Sequence, residues 1–320
     1  MEIPVFIRAT VESLASGRKT SELKKISDEI TRRYKAEDTN GKRLIVTDDE
    51  ALVYSIVRMP ATYLAVKSAL RFSLERVPEL EIRSVLDIGA GTGAASLAAL
   101  SFLPDIGEVD CVERERAMIC LGKRFYEEFS FEKEVAWYQT DILNFQTEKK
   151  YDLVIASYAL NELSEADRIV VLQKLWQMTG KLLLIVEPGT PTAFSIHREL
   201  RRELASMNAN LVAPCPHADD CPLPPDDWCH FTCRVPRSKL HRLVKGGDSP
   251  FEDEKFTYTA VICAGGDHRC LGRVLRHPLI GSGNIAMKLC TREGIVDKTF
   301  TKRSENFKRV RKKQHGDSLD

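Results

Sequence analysis

Two periodicities divide the chain. From Ala51 to Leu74 ("ALVYSIVRMPATYLAVKSALRFSL") apolar residues recur at helical spacing, interrupted by Pro60, and residues 1–80 as a whole read as helical. Short apolar runs then alternate with helix-like stretches. "SVLDIG" (84–89) precedes "AASLAALSFL", "EVDCVE" (108–113) precedes a helical stretch near 115–129, and "VAWYQTD" (135–141) forms a third run. "YDLVIASYAL" (151–160) precedes "EADRIVVLQKLWQMT", and "KLLLIVEPG" (181–189) precedes "TAFSIHRELRRELASM". Apolar strands separated by helices predict βαβ units and a doubly wound parallel sheet, an α/β fold of Rossmann-like type. A cysteine-rich segment breaks the alternation, and "KFTYTAVIC" (255–263) and "IAMKLCT" (285–291) predict later strands. The expected organisation is a helical region over 1–80, a core over 81–205, a cysteine loop with C-terminal strands over 206–297 and a basic tail over 298–320.

Composition narrows the class only a little. At 43% hydrophobic, 29% charged and net charge +1, the chain reads as a globular protein that would meet any nucleic acid through a local patch. It contains no run of roughly 18 apolar residues, the length of a membrane span. The opening "MEIPVFIRATVESLASGRK" lacks the marks of a secretory signal, so the expectation is a monomeric cytoplasmic protein without a membrane partner. Its nine cysteines are then reduced, which disfavours a disulfide framework and favours metal binding or catalysis where thiols cluster.

"LDIGAGTGAASLA" sits where the first strand turns into the first core helix. Glycines at 89, 91 and 93 let the backbone pass close to a ligand, and the following helix N-terminus attracts negative charge. A tight strand–helix turn alone would also use glycine. The acid Glu113, closing the second strand where a ribose diol would be held, strengthens the ligand reading. The spacing resembles motif I of the Rossmann-like methyltransferases that bind S-adenosylmethionine. That resemblance implies that Gly89, Gly91 and Gly93 wrap the methionine part of the cofactor. It gives Asp87 a role through the loop or the cofactor amine, Glu113 the ribose hydroxyls, and Asp141 the adenine amine. "SYALNEL" (157–163) matches the fourth-strand motif, making Asn161 and Glu162 the candidates for placing a nucleophile in line with the methyl group; the same two residues would equally serve to cap the next helix. "ALNEL" is not the [D/N]-P-P-[F/Y/W] tetrad of amino methyltransferases.

Residues 215–234, "CPHADDCPLPPDDWCHFTCR", hold four cysteines at C-x5-C-x7-C-x3-C. The first gaps are wider than the tight pairs of a zinc finger. Prolines at 216, 222, 224 and 225 make the segment a stiff loop, a poor place for cysteines serving only as small hydrophobes. Eight Lys or Arg against one Glu follow in "KTFTKRSENFKRVRKK" (298–313), interleaved with Phe300 and Phe307. A solvated helix and an RNA-binding tail are both compatible with that run, and Arg273, Arg276 and His277 would add to an RNA patch.

"VRMPATY", "LDIGAGTG", "SYALNEL", "VEPGTP", "CPHADDCPL", "DWCHF", "KFTYTAV", "RVLRHP" and "KLCT" occur in this order from about Ala51 to the end. In this the chain resembles the methyltransferase-like assembly factors of the small ribosomal subunit, found in bacteria and mitochondria. The resemblance implies a [4Fe–4S] cluster on Cys215, Cys221, Cys229 and the distant Cys290, where sequence proximity alone would select Cys233; a zinc site is the alternative. Arg234 and Arg237 are the expected counter-charges, with His217 and His230 as neighbours rather than ligands. The implied partners are the small subunit and its rRNA. The implied activity is methyl transfer with S-adenosylmethionine, and the alternative is a non-catalytic RNA-binding maturation factor that keeps the methyltransferase fold as a scaffold.

Overall fold

A computed structural model describes residues 2–35, 44–129 and 134–320. The N-terminal region comprises α1 (Val5–Ala15), α2 (Thr20–Lys35), α3 (Asp48–Val57) and α4 (Met59–Leu74). Thr47 starts α3 with a capping box: its hydroxyl accepts from Glu50 N at 3.2 Å, and Glu50 Oε2 accepts from Thr47 N at 3.0 Å. Arg33 donates to Glu50 Oε1 at 2.7 Å and ties α2 to this cap. The break expected at Pro60 is real and has a simple cause. Proline lacks an amide proton, so it is tolerated in the first turn of a new helix, and α4 begins there.

The sheet follows as β1 (Ser84–Ile88), β2 (Glu108–Glu113), β3 (Glu134–Gln139), β4 (Tyr151–Ser157) and β5 (Thr179–Pro188), all parallel. The crossovers are α5 (Ala94–Leu100), α6 (Arg116–Phe129) and α7 (Glu165–Met178), and α8 (Pro191–Ser206) follows β5. Then come β6 (Asn210–Ala213), β7 (Phe231–Pro236), α9 (Lys239–Lys245) and the long β8 (Phe251–Ile262). The order is β3-β2-β1-β4-β5-β8-β6, with β7 also on β8. β8 runs antiparallel to β5; its first half pairs β7 and its second half pairs β6. This is the mixed sheet of a methyltransferase-type α/β fold, switching direction of build between β1 and β4.

Period-two alternation loads both faces of the sheet. Val85, Val109, Leu153, Ile155, Leu182 and Leu184 join the core beneath α1–α6, while Leu86, Ile88, Val154, Ala156, Leu183 and Ile185 join the core beneath α7 and α8. A strand buried on both sides reads as a continuous apolar run, which is why these strands were visible in the sequence. No helix among the described residues is long and apolar enough to cross a membrane.

The chain ends in a second, antiparallel sheet. β9 (Gly272–Val274), β10 (Leu279–Ile280), β11 (Asn284–Thr291), β12 (Gly294–Thr301) and β13 (Ser318–Leu319) form it, with the short α10 (Phe307–Val310) between the last two. Ile285, Met287 and Leu289 of β11 fill its own small core, and Cys290, on the opposite face, joins the main core. The boundaries expected at 205 and 297 do not coincide with the sheets. β6 to β8 complete the main sheet, and Lys298 lies inside the β11–β12 hairpin. Nor do the last residues trail free: His315, Gly316 and Ser318 are buried, and Arg71 and Arg76 bind Asp317 and Asp320 at 3.3 and 2.7 Å.

Candidate functional site

The carboxyl ends of β1, β2, β4 and β5 open on a cavity of about 410 Å³. The direction switch between β1 and β4 leaves a crevice at this point, the place where doubly wound sheets take ligands. Gly89, Gly91, Glu113, Asp141, Asn161 and Glu162 all line it. Four of the six residues expected to bind the cofactor, and both candidates for placing the nucleophile, thus share one cavity; Asp87 and Gly93 stand behind the wall. Asp87 is fully buried and accepts from Ser96 N at 2.9 Å and Ser96 Oγ at 2.7 Å, which locks the end of β1 to the first turn of α5. Burial pushes its carboxyl up to about 6, against those hydrogen bonds. Asp87 thus braces the glycine loop from behind. Gly93 has φ +80°, and a Cβ there would sit 2.9 Å from the Tyr126 ring.

Glu113 accepts from Gly91 N and from Glu115 N, both at 2.8 Å, so one carboxylate joins the glycine loop to the end of β2. Asp141 accepts from Leu143 N at 2.9 Å and faces Arg114 at 3.5 Å. Asn161 and Glu162 lie on a short 3-10 turn, Leu160–Glu162. The next helix, α7, is capped by Ser164, not by these two residues. Asn161 Oδ1 is buried with no hydrogen-bond partner among the described residues. Burial, with Glu113 nearby, pushes Glu162 up to about 7, while Arg114 opposes the shift.

The turn rests on residues the motifs contained but composition could not single out. Tyr158 holds φ +56°, a strained value for a tyrosine, and donates to Glu254 Oε1 at 3.0 Å. Arg58 meets the same oxygen at 3.3 Å. Glu187 is fully buried at the end of β5 and accepts from Leu160 N at 2.8 Å. Burial raises its carboxyl to about 8. A raised carboxyl binds its proton in the folded state while the unfolded chain, near 4.5, has lost it. Its contribution is therefore complete below about pH 4.5 and lost as pH rises through 8, on the order of 5 kcal/mol at most. Glu187→Gln is expected to flatten the fall in melting temperature between pH 5 and pH 8.5. An unchanged pH slope in thermal melts would contradict this assignment.

A second cavity, about 40 Å³, lies between the main sheet and the C-terminal sheet. Cys215, Cys221, Cys229 and Cys290 all line it and Cys233 does not. The loop delivers the first three, and the β9–β11 register (Cys290 opposite Arg273) delivers the fourth. All nine cysteines are free thiols. Burial and the neighbouring thiols push Cys229 and Cys290 well above the ordinary thiol range. His217 Nε2 stands 3.5 Å from Cys290 Sγ, a neighbour as expected. Among the described residues no three His, Cys, Asp or Glu side chains stand at metal-holding geometry, so the thiols share a cavity rather than a formed coordination shell.

The donor chemistry of that cavity still fits an anionic sulfur-ligated group. Arg273, 1% exposed, donates through Nε to Pro214 O and through Nη1 to Gly316 O, each at 2.9 Å. Its Nη2, with Tyr258 Oη and His197 Nε2 on the same cavity wall, is buried without a partner among the described residues. Buried polar groups are almost always satisfied, so these three atoms beside four thiols are polar groups a bound anionic group could engage. Arg234 and Arg237, the expected counter-charges, are elsewhere: Arg234 pairs Asp253 on the surface and Arg237 bonds Ser249 O and Gly246 O. β7 alternates, so Arg234 faces outward when Cys233 and Phe231 face in. Arg273 is likewise unavailable to RNA, and Arg276 is paired with Asp227. Buried Cys270 is a further thiol whose charge would reach Cys290, and nothing in its spacing marked it.

The mixed sheet and the crevice at its switch point define a methyltransferase-type fold. Residues 48–320 match the model of the family described as mitochondrial small ribosomal subunit Rsm22, and the chain belongs to that family. Human mitochondrial ribosome assembly protein METTL17 is 28% identical over 230 residues, 68% of this chain and 49% of METTL17. The mitochondrial Rsm22-cox11 tandem protein 2 of Schizosaccharomyces pombe is 24% identical, over 85% of this chain and 43% of its own length. The chain thus spans about half the length of the curated relatives it matches. Among solved structures, the N-methyltransferase NodS of Bradyrhizobium japonicum, in complex with S-adenosyl-L-homocysteine, superposes with TM-score 0.44 at 12% identity, covering 74% of this chain and 97% of NodS. The family description and both relatives' names are mitochondrial, which overturns the expectation of a cytoplasmic protein. The opening residues, on which that expectation stood, do not distinguish the two compartments.

Proposed function

We propose that this protein is a small-ribosomal-subunit assembly factor of the mitochondrion that binds S-adenosylmethionine in the 410 Å³ crevice and an iron–sulfur cluster on Cys215, Cys221, Cys229 and Cys290. The observation that carries the reading is the convergence of Gly89, Gly91, Glu113 and Asp141 on one cavity in a chain matching the family over 48–320. Glu113 and Asp141 would take the ribose and adenine ends, and the glycine loop the methionine end. Asp87 holds that loop without touching the ligand. When bound, the cofactor supplies an electrophilic methyl group.

Contact with rRNA is assigned to the basic segment. Lys302, Arg303, Lys308, Arg309, Arg311 and Lys312 are exposed around α10, at one end of the C-terminal sheet. Because the residues beyond them are built into the fold, truncation would damage the domain, and charge removal is the cleaner test. Replacing Lys302, Lys308, Arg309 and Lys312 with glutamine is expected to weaken binding of small-subunit rRNA about tenfold or more at low salt. It should also cut the slope of log affinity against log salt by about three. Binding with unchanged affinity and slope would remove the segment from the interface.

A second reading, methyl transfer to that RNA, is favoured by the unpartnered Asn161 Oδ1 on the cavity wall. The atom is an acceptor with nothing to accept, as a substrate amine or the cofactor amine would require.

A further inference from the structure

We infer that Arg273 and Arg201 are the charge-compensating pair of the cysteine cavity, holding a cluster of net charge about −2 in a site shielded from water. This rests on the reading of that cavity as an iron–sulfur site. Four thiolates around a [4Fe–4S]²⁺ core leave two negative charges. Arg198, Arg201 and Arg273 line the cavity, and of these Arg201 bonds at the thiol wall while Arg273 is the fully buried one. Arg201 Nη1 lies 3.5 Å from Cys215 Sγ, and its Nη2 lies 3.5 Å from His217 O.

Arg273 carries most of the argument. It is among the largest fully buried side chains of the protein, and no carboxylate pairs with it among the described residues. Burying a cation with no carboxylate at ion-pair distance is expensive, and the two carbonyls, the Phe72 ring beneath it and the more distant Glu75 relieve only part of that cost. Its neighbour in sequence Arg276 shows the ordinary solution, an ion pair with Asp227. At Arg273 the ordinary solution is missing on the side facing four thiols. An anionic cluster would supply it, and the unpartnered Nη2 would be the donor available to it, the kind of contact that sets cluster potentials. Arg273 also bonds Gly316 O and so ties the C-terminal strand to the cavity wall. It is a positioning residue, not a ligand.

The test uses the full chain, loaded anaerobically with ferrous iron and sulfide, and reads iron content and the cluster's midpoint potential. Reduction adds negative charge, so removing a nearby positive charge makes it harder. Arg273→Gln is expected to retain the fold and lower the reduction equilibrium constant at least tenfold, about 59 mV for one electron, or to lose the cluster. Arg273→Lys, which keeps the charge, should stay within about threefold of the wild type. Arg201→Gln should shift in the same direction by less, because Arg201 is only half-buried. A wild-type potential and iron content in Arg273→Gln, or equal damage in Arg273→Lys, overturns the inference. Should Arg273→Gln not fold, an unshifted potential in Arg201→Gln overturns it instead. Wild-type protein that takes up no iron overturns the iron–sulfur reading itself.

Discussion

Cys290→Ser is expected to abolish cluster binding, taking iron from about four per chain to near zero, while Cys233→Ser keeps the full complement. The two thiols are both buried, yet their surroundings differ. Cys290 comes off β11 on the face turned to the main sheet, lines the cavity with Cys215, Cys221 and Cys229, and sits beside His217. Cys233 comes off β7 opposite Glu254. It lines no part of the cavity that the other four thiols share. Iron and acid-labile sulfide measured on anaerobically purified variants decide the matter. Retention of iron by Cys290→Ser, or its loss from Cys233→Ser, sinks the assignment. If stoichiometric zinc appears in place of iron, the ligand set survives and the cluster does not.

Gly89→Val carries the second large effect. Gly89 has φ +67°, and a Cβ there would stand 2.8 Å from Ala159 Cβ on the turn that carries Asn161. A β-branched residue must either leave the left-handed region or push that turn aside, at a cost of about 1–3 kcal/mol for the backbone alone. Either response moves the glycine loop and the β4 turn apart, across the very crevice the cofactor would occupy. S-adenosylmethionine binding, followed by calorimetry, should fall a hundredfold or more. Labelled methyl transfer to small-subunit rRNA, where the wild type shows it, should vanish in Gly89→Val. It should also vanish in Asn161→Ala, with binding of the cofactor in the latter reduced far less. Tight binding by Gly89→Val would place the ligand elsewhere. Labelled RNA from Asn161→Ala at the wild-type rate would remove that side chain from the chemistry.

These outcomes bear on how the two sites are joined. β8 pairs β5 on one edge and both β6 and β7 on the other, so the strand that closes the sheet also flanks the cysteine loop. Along it Glu254 meets Arg58 and Tyr158 beside the crevice, and Tyr258 reaches the thiol cavity four residues on. One strand thus lines the thiol cavity and, through Glu254, braces two residues of the crevice wall.

Much of this was legible before any coordinates. β1 to β5, β8 and β11 were visible because strands buried on both faces, or alternating against one core, leave apolar runs of strand length. The glycine loop was visible because its backbone path requires left-handed residues, and only glycine takes those freely. Glu113 and Asp141 followed from their places at strand ends. β6 and β7 were missed, because each is short and borrows its stability from β8 rather than from its own pattern. The basic run was read as a tail because charge shows solvent exposure and says nothing about pairing. Its first residues are in fact half of a hairpin, and the buried His315 and Ser318 behind it hold the end in place.

The sequence by itself determined the local things: the strands of the parallel core, where the cofactor loop lies, and that the thiols are too many and too clustered to be filler. Resemblance, not spacing, selected Cys290 over Cys233. Only the tertiary structure decided which charges attend the thiols. Strand alternation turned Arg234 to solvent, and the β9–β11 register set Arg273 opposite Cys290. That choice depends on a pairing between distant segments, and no local pattern of residues encodes which side of a sheet will face the loop.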